Sequence, residues 1–178
     1  MLSSELIKHK AQSIKLIVTD VDGVLTEGYV FIQPDANEAF GKFNILDGFA
    51  VHMAHKCGLK TAVISGRKSE ATEARCAKLG FDFAYTGILD KHTQLVQLAK
   101  QLELEFSEIA YIGDDWIDLP VLTKVGLSCA PANAVEEILN RVDYISSFDG
   151  GKGVFRNLVE LILRHQNKYD QLLQSYLV

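Results

Sequence analysis

Short runs of apolar and β-branched residues alternate along this chain with stretches whose apolar positions recur every three or four residues. Leu16-Ile17-Val18-Thr19 has no polar face and stops at Asp20, the pattern of a strand buried inside a sheet. Asp47 to Lys56 predicts a helix closed by Gly58, followed by a strand at Thr61-Ala62-Val63-Ile64. Ser69 predicts the start of a helix that runs to Leu79 and ends at Gly80. Phe81 to Tyr85 predicts a strand, and Lys91 to Leu102 a helix with Leu95, Val96, Leu98, Ala99 and Leu102 at its apolar positions. Ile109 to Ile112 and Leu127 to Cys129 predict two further strands, with a short helix from Leu119 to Val125 between them. Val135 to Asn140 and Phe155 to Leu173 complete the helices. Strands alternating with amphipathic helices predict an α/β fold, a three-layer Rossmann-like parallel sheet.

One segment breaks the alternation. Tyr29-Val30-Phe31-Ile32 and Ala39-Phe40-Gly41-Lys42-Phe43 flank the turn-rich Gln33-Pro34-Asp35-Ala36-Asn37, which predicts an inserted β-hairpin. The aromatic residues of this flap, about residues 28–43, have the character of a contact surface. The 178 residues predict one domain over 1–178, with a C-terminal helix and tail at about 154–178. Asp22 to Ser65 leaves room for the hairpin and one helix, and Ser65 to Lys91 for one helix and one strand, so neither interval holds a further domain.

With 48% hydrophobic and 23% charged residues the chain has the balance of a soluble globular protein, long enough to bury a core without disulfides. The formal net charge of −5 argues against a nucleic-acid partner. Cys57, Cys76 and Cys129 are far apart and lack a C-x-x-C pair, which predicts inert buried thiols. The absence of a long apolar run or a signal-peptide pattern predicts a cytoplasmic protein with no membrane partner.

Ligands of open α/β sheets bind at the carboxyl ends of the strands. Those ends carry Asp20-Val21-Asp22-Gly23-Val24-Leu25-Thr26 after the first strand, Ser65-Gly66-Arg67 after the second and Gly113-Asp114-Asp115 after the fourth. Asp118 follows one turn later, and Lys91 opens the helix after the third strand. Carboxylates converging on one edge repel each other unless a cation sits among them. Oxygen donors with no His or Cys cluster indicate a hard ion such as Mg²⁺. Mg²⁺ with a lysine suits phosphoryl transfer, in which a carboxylate can act as the nucleophile. Exposed amides from Val21 to Gly23 could cradle phosphate oxygens. Taken singly each segment is an ordinary turn; the information lies in their joint placement and order.

These four segments resemble the signature motifs of the haloacid dehalogenase superfamily. The resemblance implies Asp20 as nucleophile, Asp22 as general acid/base, Ser65 and the Gly66 amide as phosphate holders, and Lys91 as the steadying cation. It implies Mg²⁺ on the Asp20 carboxylate, the Asp22 backbone carbonyl and Asp114, with Asp115 and Asp118 supporting from behind. Phe43-Asn44-Ile45-Leu46-Asp47-Gly48, Ser65-Gly66-Arg67-Lys68-Ser69, Arg75-Cys76, Gly113 to Pro120 and Gly150-Gly151-Lys152-Gly153 narrow it further. They are similar to the capless 3-deoxy-D-manno-octulosonate 8-phosphate phosphatase family of lipopolysaccharide synthesis. That resemblance implies a homotetramer whose neighbouring subunits close each active site over a sugar acid phosphate.

Arg67 and Arg75, eight residues apart on one predicted helix, are expected on one face, where a guanidinium suits a substrate carboxylate. Lys152 in its glycine-rich loop is a further expected substrate contact. His92, beside Lys91, receives no role. A phospho-receiver module would carry its acceptor Asp at the end of a middle strand, where this chain has Ser65-Gly66. A phosphatase of a nonulosonate 9-phosphate stays open as an alternative substrate reading.

Overall fold

Every residue of Leu16–Thr19 (β1) is buried, because the strand has sheet neighbours on both edges and helices over both faces. The computed structural model describes residues 4–32 and 40–177. The remaining strands are Lys60–Ile64 (β2), Phe83–Tyr85 (β3), Ile109–Ile112 (β4), Leu127–Ala130 (β5) and Tyr144–Ile145 (β6). They pair parallel throughout, in the order β3-β2-β1-β4-β5-β6. The helices are Ser4–Ser13 (α1), Ile45–Lys56 (α2), Glu70–Leu79 (α3), Lys91–Leu102 (α4), Leu119–Leu122 (α5), Glu136–Leu139 (α6), Val154–His165 (α7) and Tyr169–Gln174 (α8).

The period-two alternation of strand side chains separates two cores. Ile17, Val63, Ala110 and Ile112 face one layer, where they meet Ile14, Val51, Phe155 and Leu158 from α2, α7 and the end of α1. Leu16, Val18, Ala62 and Tyr111 face the other, against Leu95, Leu98, Leu122 and Ile138 of α4, α5 and α6. The chain doubles back from β1 to β4 at the centre of the sheet, so the carboxyl ends of those two strands form a crevice where the winding reverses.

Local caps set the helices that carry site residues. The Ser69 side chain accepts from the Thr72 amide, and Gly80 ends α3 at φ +75°. Asp90 Oδ1 accepts from the Thr93 amide at 3.0 Å, which fixes Lys91 at the first position of α4. Between Asp22 and Ser65 lie only the flap segment, α2 and β2, and between Ser65 and Lys91 only α3 and β3. Among the described residues no cap domain stands over the crevice.

The structure corrects one expectation. Phe155 to Leu173 is not one helix: α7 and α8 are separated at Gln166-Asn167-Lys168, where Asn167 adopts φ +57°. Gln166 Nε2 donates to the carbonyls of Ala11 and Ile14, so the break is anchored on α1. Asn tolerates the left-handed region better than most residues, which makes it a natural breaking point. In the flap, the described residues of both predicted arms form no ladder, only an isolated bridge at Ile32. Phe31 and Phe40 nevertheless stack, with ring centroids 4.5 Å apart. The predicted turn Gln33 to Asn37 lies outside the described residues.

Candidate active site

Asp20 directly follows β1, and the sheet's hydrogen bonding extends to it: the Asp20 amide donates to the Ile112 carbonyl at 2.9 Å. The carboxylate is thereby fixed in the crevice between β1 and β4, and it is buried. Its Oδ1 accepts from the Val21 amide at 2.7 Å, and its Oδ2 meets Lys91 Nζ at 2.7 Å. Of the amides expected to cradle a phosphate, that of Val21 is therefore engaged by Asp20 itself.

Lys91 is buried and bridges two carboxylates, with Asp118 Oδ1 at 2.8 Å on its other side. Burial disfavours its charge, but Asp20 and Asp118 outweigh that and hold it above the ordinary lysine value. Asp118 Oδ1 also accepts from the Tyr111 hydroxyl at 2.7 Å, and Oδ2 accepts from the amides of Asp114 and Asp115 at 3.1 and 3.4 Å. With four donors upon it, Asp118 is a saturated anchor. Gly113 permits this wrapping, because a Cβ there would stand 2.4 Å from Asp118 Cγ.

Asp114 faces Asp20 across the crevice. Oxygen atoms of Asp20, Asp114 and Asp118 lie within 4.8 Å of one another. Burial, with the neighbouring charges of Asp20 and Asp118, raises the Asp114 carboxyl to about 8. Burial and the Asp118 charge raise Asp20 to about 7 in spite of Lys91. One ammonium among three carboxylates leaves an excess of negative charge. All the donors are oxygens, so a hard divalent cation fits the set. Because the lone pairs of Asp118 are taken, the side chains left for such an ion are those of Asp20 and Asp114.

Asp20, Asp22, Gly23, Gly66, Arg67, Leu89, Lys91, Asp114, Asp115 and Ile117 line an open cleft of about 410 Å³. The sequence-predicted segments after β1, β2 and β4 therefore converge. Ser65 is buried at the end of β2, and its hydroxyl donates to the Arg67 carbonyl at 3.3 Å. Gly66 is packed tightly enough that a Cβ would lie 3.1 Å from Ile117 Cδ1. Asp115 is exposed, and its Oδ1 accepts from the Trp116 amide at 2.7 Å, closing the turn behind Asp114. Asp22 is held from both sides by Arg67, whose Nε meets Oδ2 at 2.9 Å and whose Nη2 meets Oδ1 at 2.6 Å.

The haloacid dehalogenase-like hydrolase profile matches residues 85–158. The 3-deoxy-D-manno-octulosonate 8-phosphate phosphatase of Escherichia coli K12 is 38% identical over 162 residues, covering 91% of this chain and 86% of that protein. This chain belongs to that phosphatase family. The solved 3-deoxy-D-manno-octulosonate 8-phosphate phosphatase from Moraxella catarrhalis, in complex with magnesium, phosphate and KDO, is 35% identical and superposes with a TM-score of 0.94. The match covers 98% of this chain and 99% of that one. The cobalt-bound Haemophilus influenzae phosphatase is 38% identical, with a TM-score of 0.90 over 95% and 99% of the two chains.

Within this family member, two predicted substrate residues lie apart from the cleft lining. Arg67 precedes α3 instead of riding on it, so it does not share a helical face with Arg75. Arg75 turns beneath α2, where its Nη2 donates to the Asn44 carbonyl at 3.4 Å, and it lines a small cavity with Phe43, Asp47 and Leu79. Lys152 Nζ is engaged by Glu27 Oε1. Tyr111 is the site residue that sequence reasoning passed over. Its signal was a phenol inside a strand buried at every position, which needs a partner for its hydroxyl.

Proposed function

We propose that this member of the phosphatase family is a Mg²⁺-dependent phosphomonoesterase acting on 3-deoxy-D-manno-octulosonate 8-phosphate in lipopolysaccharide synthesis, in the cytoplasm. The observation that carries the chemistry is Asp20, fixed at the switch point with one oxygen on Lys91 and with Asp114 opposite. The relatives in Escherichia coli and Moraxella catarrhalis, both phosphatases of that 8-phosphate, support the substrate.

In this reading Asp20 attacks phosphorus and carries the phosphoryl group as an aspartyl phosphate until water releases it. Lys91 stays charged throughout, and Asp118, fixed by Tyr111 and two amides, keeps it aimed at Asp20. Asp22 protonates the leaving alkoxide and then draws the proton from the attacking water, each role supplying roughly 10²–10⁴-fold. Ser65 and the Gly66 amide hold phosphate oxygens. Asp20, Asp114 and the Asp22 carbonyl would hold the cation, which would supply positive charge against the phosphoryl oxygens.

The open cleft also supports a homotetramer with shared active sites. Tyr29 is 73% exposed and Leu89 77%, and Phe31, Ile32, Phe40 and Trp116 add to the exposed apolar surface around the site. Such a surface is suited to contact with a second copy, which would exclude water from the aspartyl phosphate.

The test is phosphate release from a panel of sugar acid phosphates and ordinary sugar phosphates, with Mg²⁺ and with chelator. The 8-phosphate should give the highest kcat/KM, and chelator should abolish turnover. Preference for a nonulosonate 9-phosphate would reassign the substrate, and turnover unaffected by chelator would refute the cation's role.

A further inference from the structure

The side chain required as proton donor lines the cleft but is bonded to Arg67. Both oxygens of Asp22 are occupied by the Arg67 fork, at 2.6 and 2.9 Å. A carboxylate gripped in this way keeps a lone pair on each oxygen, but the fork fixes its plane, so it does not turn to a leaving group while the pair stands. The two side chains are 32% and 31% exposed, so another anion can reach the pair, and a pair this open is only modestly stable.

The position of Arg67 suits a change of partner. It sits in the loop between Gly66 and the Ser69 cap, and so is not held by helical hydrogen bonds. It lines the catalytic cleft on one side and a small cavity beneath the flap arm, with Tyr29, Phe31 and Lys42, on the other. The other cations that line these two spaces are committed, Lys91 to Asp20 and Asp118 and Lys42 to Glu27.

We propose that Arg67 is a specificity-determining residue that exchanges carboxylates: the substrate's carboxylate displaces Asp22 from the guanidinium, and the released Asp22 turns to the leaving oxygen. One carboxylate–guanidinium pair is lost and one is gained, so the exchange is nearly neutral for a substrate that carries a carboxylate. A phosphate ester without one must break the Asp22–Arg67 pair with no replacement. Selection for a sugar acid therefore enters kcat as well as KM. This inference rests on the reading of Asp22 as the proton donor.

The test compares the sugar acid phosphate with glycerol phosphate, an unactivated ester lacking a carboxylate, in the wild type and in Arg67→Ala and Arg67→Gln. On the sugar acid phosphate both variants should lose roughly 10–100-fold in kcat/KM, the value of a charged bidentate contact. On glycerol phosphate their kcat should rise roughly fivefold, the value of a half-exposed pair. In the wild type, pyruvate, a 2-oxo carboxylate without phosphate, should raise kcat on glycerol phosphate, and it should have no such effect in the variants. The pyruvate experiment stands even if a variant folds poorly.

An arginine that only binds substrate would leave glycerol phosphate turnover unchanged, and one that only supports the fold would lower both activities together. Either pattern, or pyruvate acting solely as an inhibitor of the wild type, overturns the exchange. Failure of the underlying reading would look different: Asp22→Asn would then hydrolyse both esters as well as the wild type does.

Discussion

Gly23 makes room for Asp114: a Cβ at residue 23 would stand 2.0 Å from Asp114 Oδ2 and 2.6 Å from its Cγ. Gly23 also has φ +80°, a conformation that costs other residues about 1–2 kcal/mol. Gly23→Ala should therefore displace the Asp114 carboxylate and weaken Mg²⁺ binding by roughly 10–100-fold, as when a ligand's support is lost. Calorimetric titration of the variant with Mg²⁺ checks this, and an unchanged affinity would show that Asp114 is not a ligand.

Mg²⁺ binding should depend on pH. Asp20 and Asp114 must be ionised to hold the ion, yet burial raises them to about 7 and about 8. Apparent affinity should thus rise as the pH passes through that range and level off above it. Without metal the sign is opposite. Folded-state values above the ordinary 3.8 mean that protonation stabilises the fold, and this stability is lost as the pH rises toward 7 and 8. Mg²⁺ should consequently raise the melting temperature more at pH 8 than at pH 6. An equal gain at both would contradict the account.

Asp47 provides a titration away from the metal site. It is 4% exposed, and its Oδ1 accepts from the Arg156 amide at 2.9 Å, capping α7 in place of the side chain Gly153 lacks. Burial raises it from 3.8 to about 6 against the pull of that bond and of Arg156 and Arg75. The folded value lies above the unfolded one, so its stabilisation is complete below 3.8 and disappears as the pH rises through 6. The full span corresponds to about 3 kcal/mol. Asp47→Asn keeps the acceptor and removes the charge. Chemical denaturation of both proteins should show the wild type gaining on the variant as the pH falls from 7 to 4.5; a pH-independent difference would refute it.

The stacked Phe31 and Phe40, both exposed, form the centre of the proposed subunit contact. Replacing both with Lys should yield smaller species in sedimentation and lower catalytic efficiency on the sugar acid phosphate by about tenfold or more, as for anchors of an interface. A wild type that sediments as a fully active monomer would rule out shared sites.

Much of this arrangement was legible because the site residues sit at strand ends, where a buried apolar run meets a polar turn. Leu16–Thr19 with Asp20, and Ile109–Ile112 with Gly113-Asp114, show this directly. What escaped has a physical reason in each case. Tyr144–Ile145 is too short for a period to appear, and α1 is mostly polar, with its inward face reduced to a few residues such as Ala11. Arg67 was placed on a helix by spacing alone, whereas the Ser69 cap starts α3 two residues later. The pairing of Arg67 with Asp22 spans 45 residues of sequence, and no local pattern announces it.

The nucleophile is the centre of the account, and a single-turnover acid quench tests it most directly. The enzyme is mixed with Mg²⁺ and substrate labelled in its phosphoryl group, quenched, digested and mapped. Asp22→Asn should slow release of the intermediate and so let the label accumulate. The account predicts acid-stable label on the peptide that carries Asp20, in the wild type transiently and in Asp22→Asn at higher occupancy, with none in Asp20→Asn. Phosphate release at the wild-type rate from Asp20→Asn, or label on another residue, would contradict it.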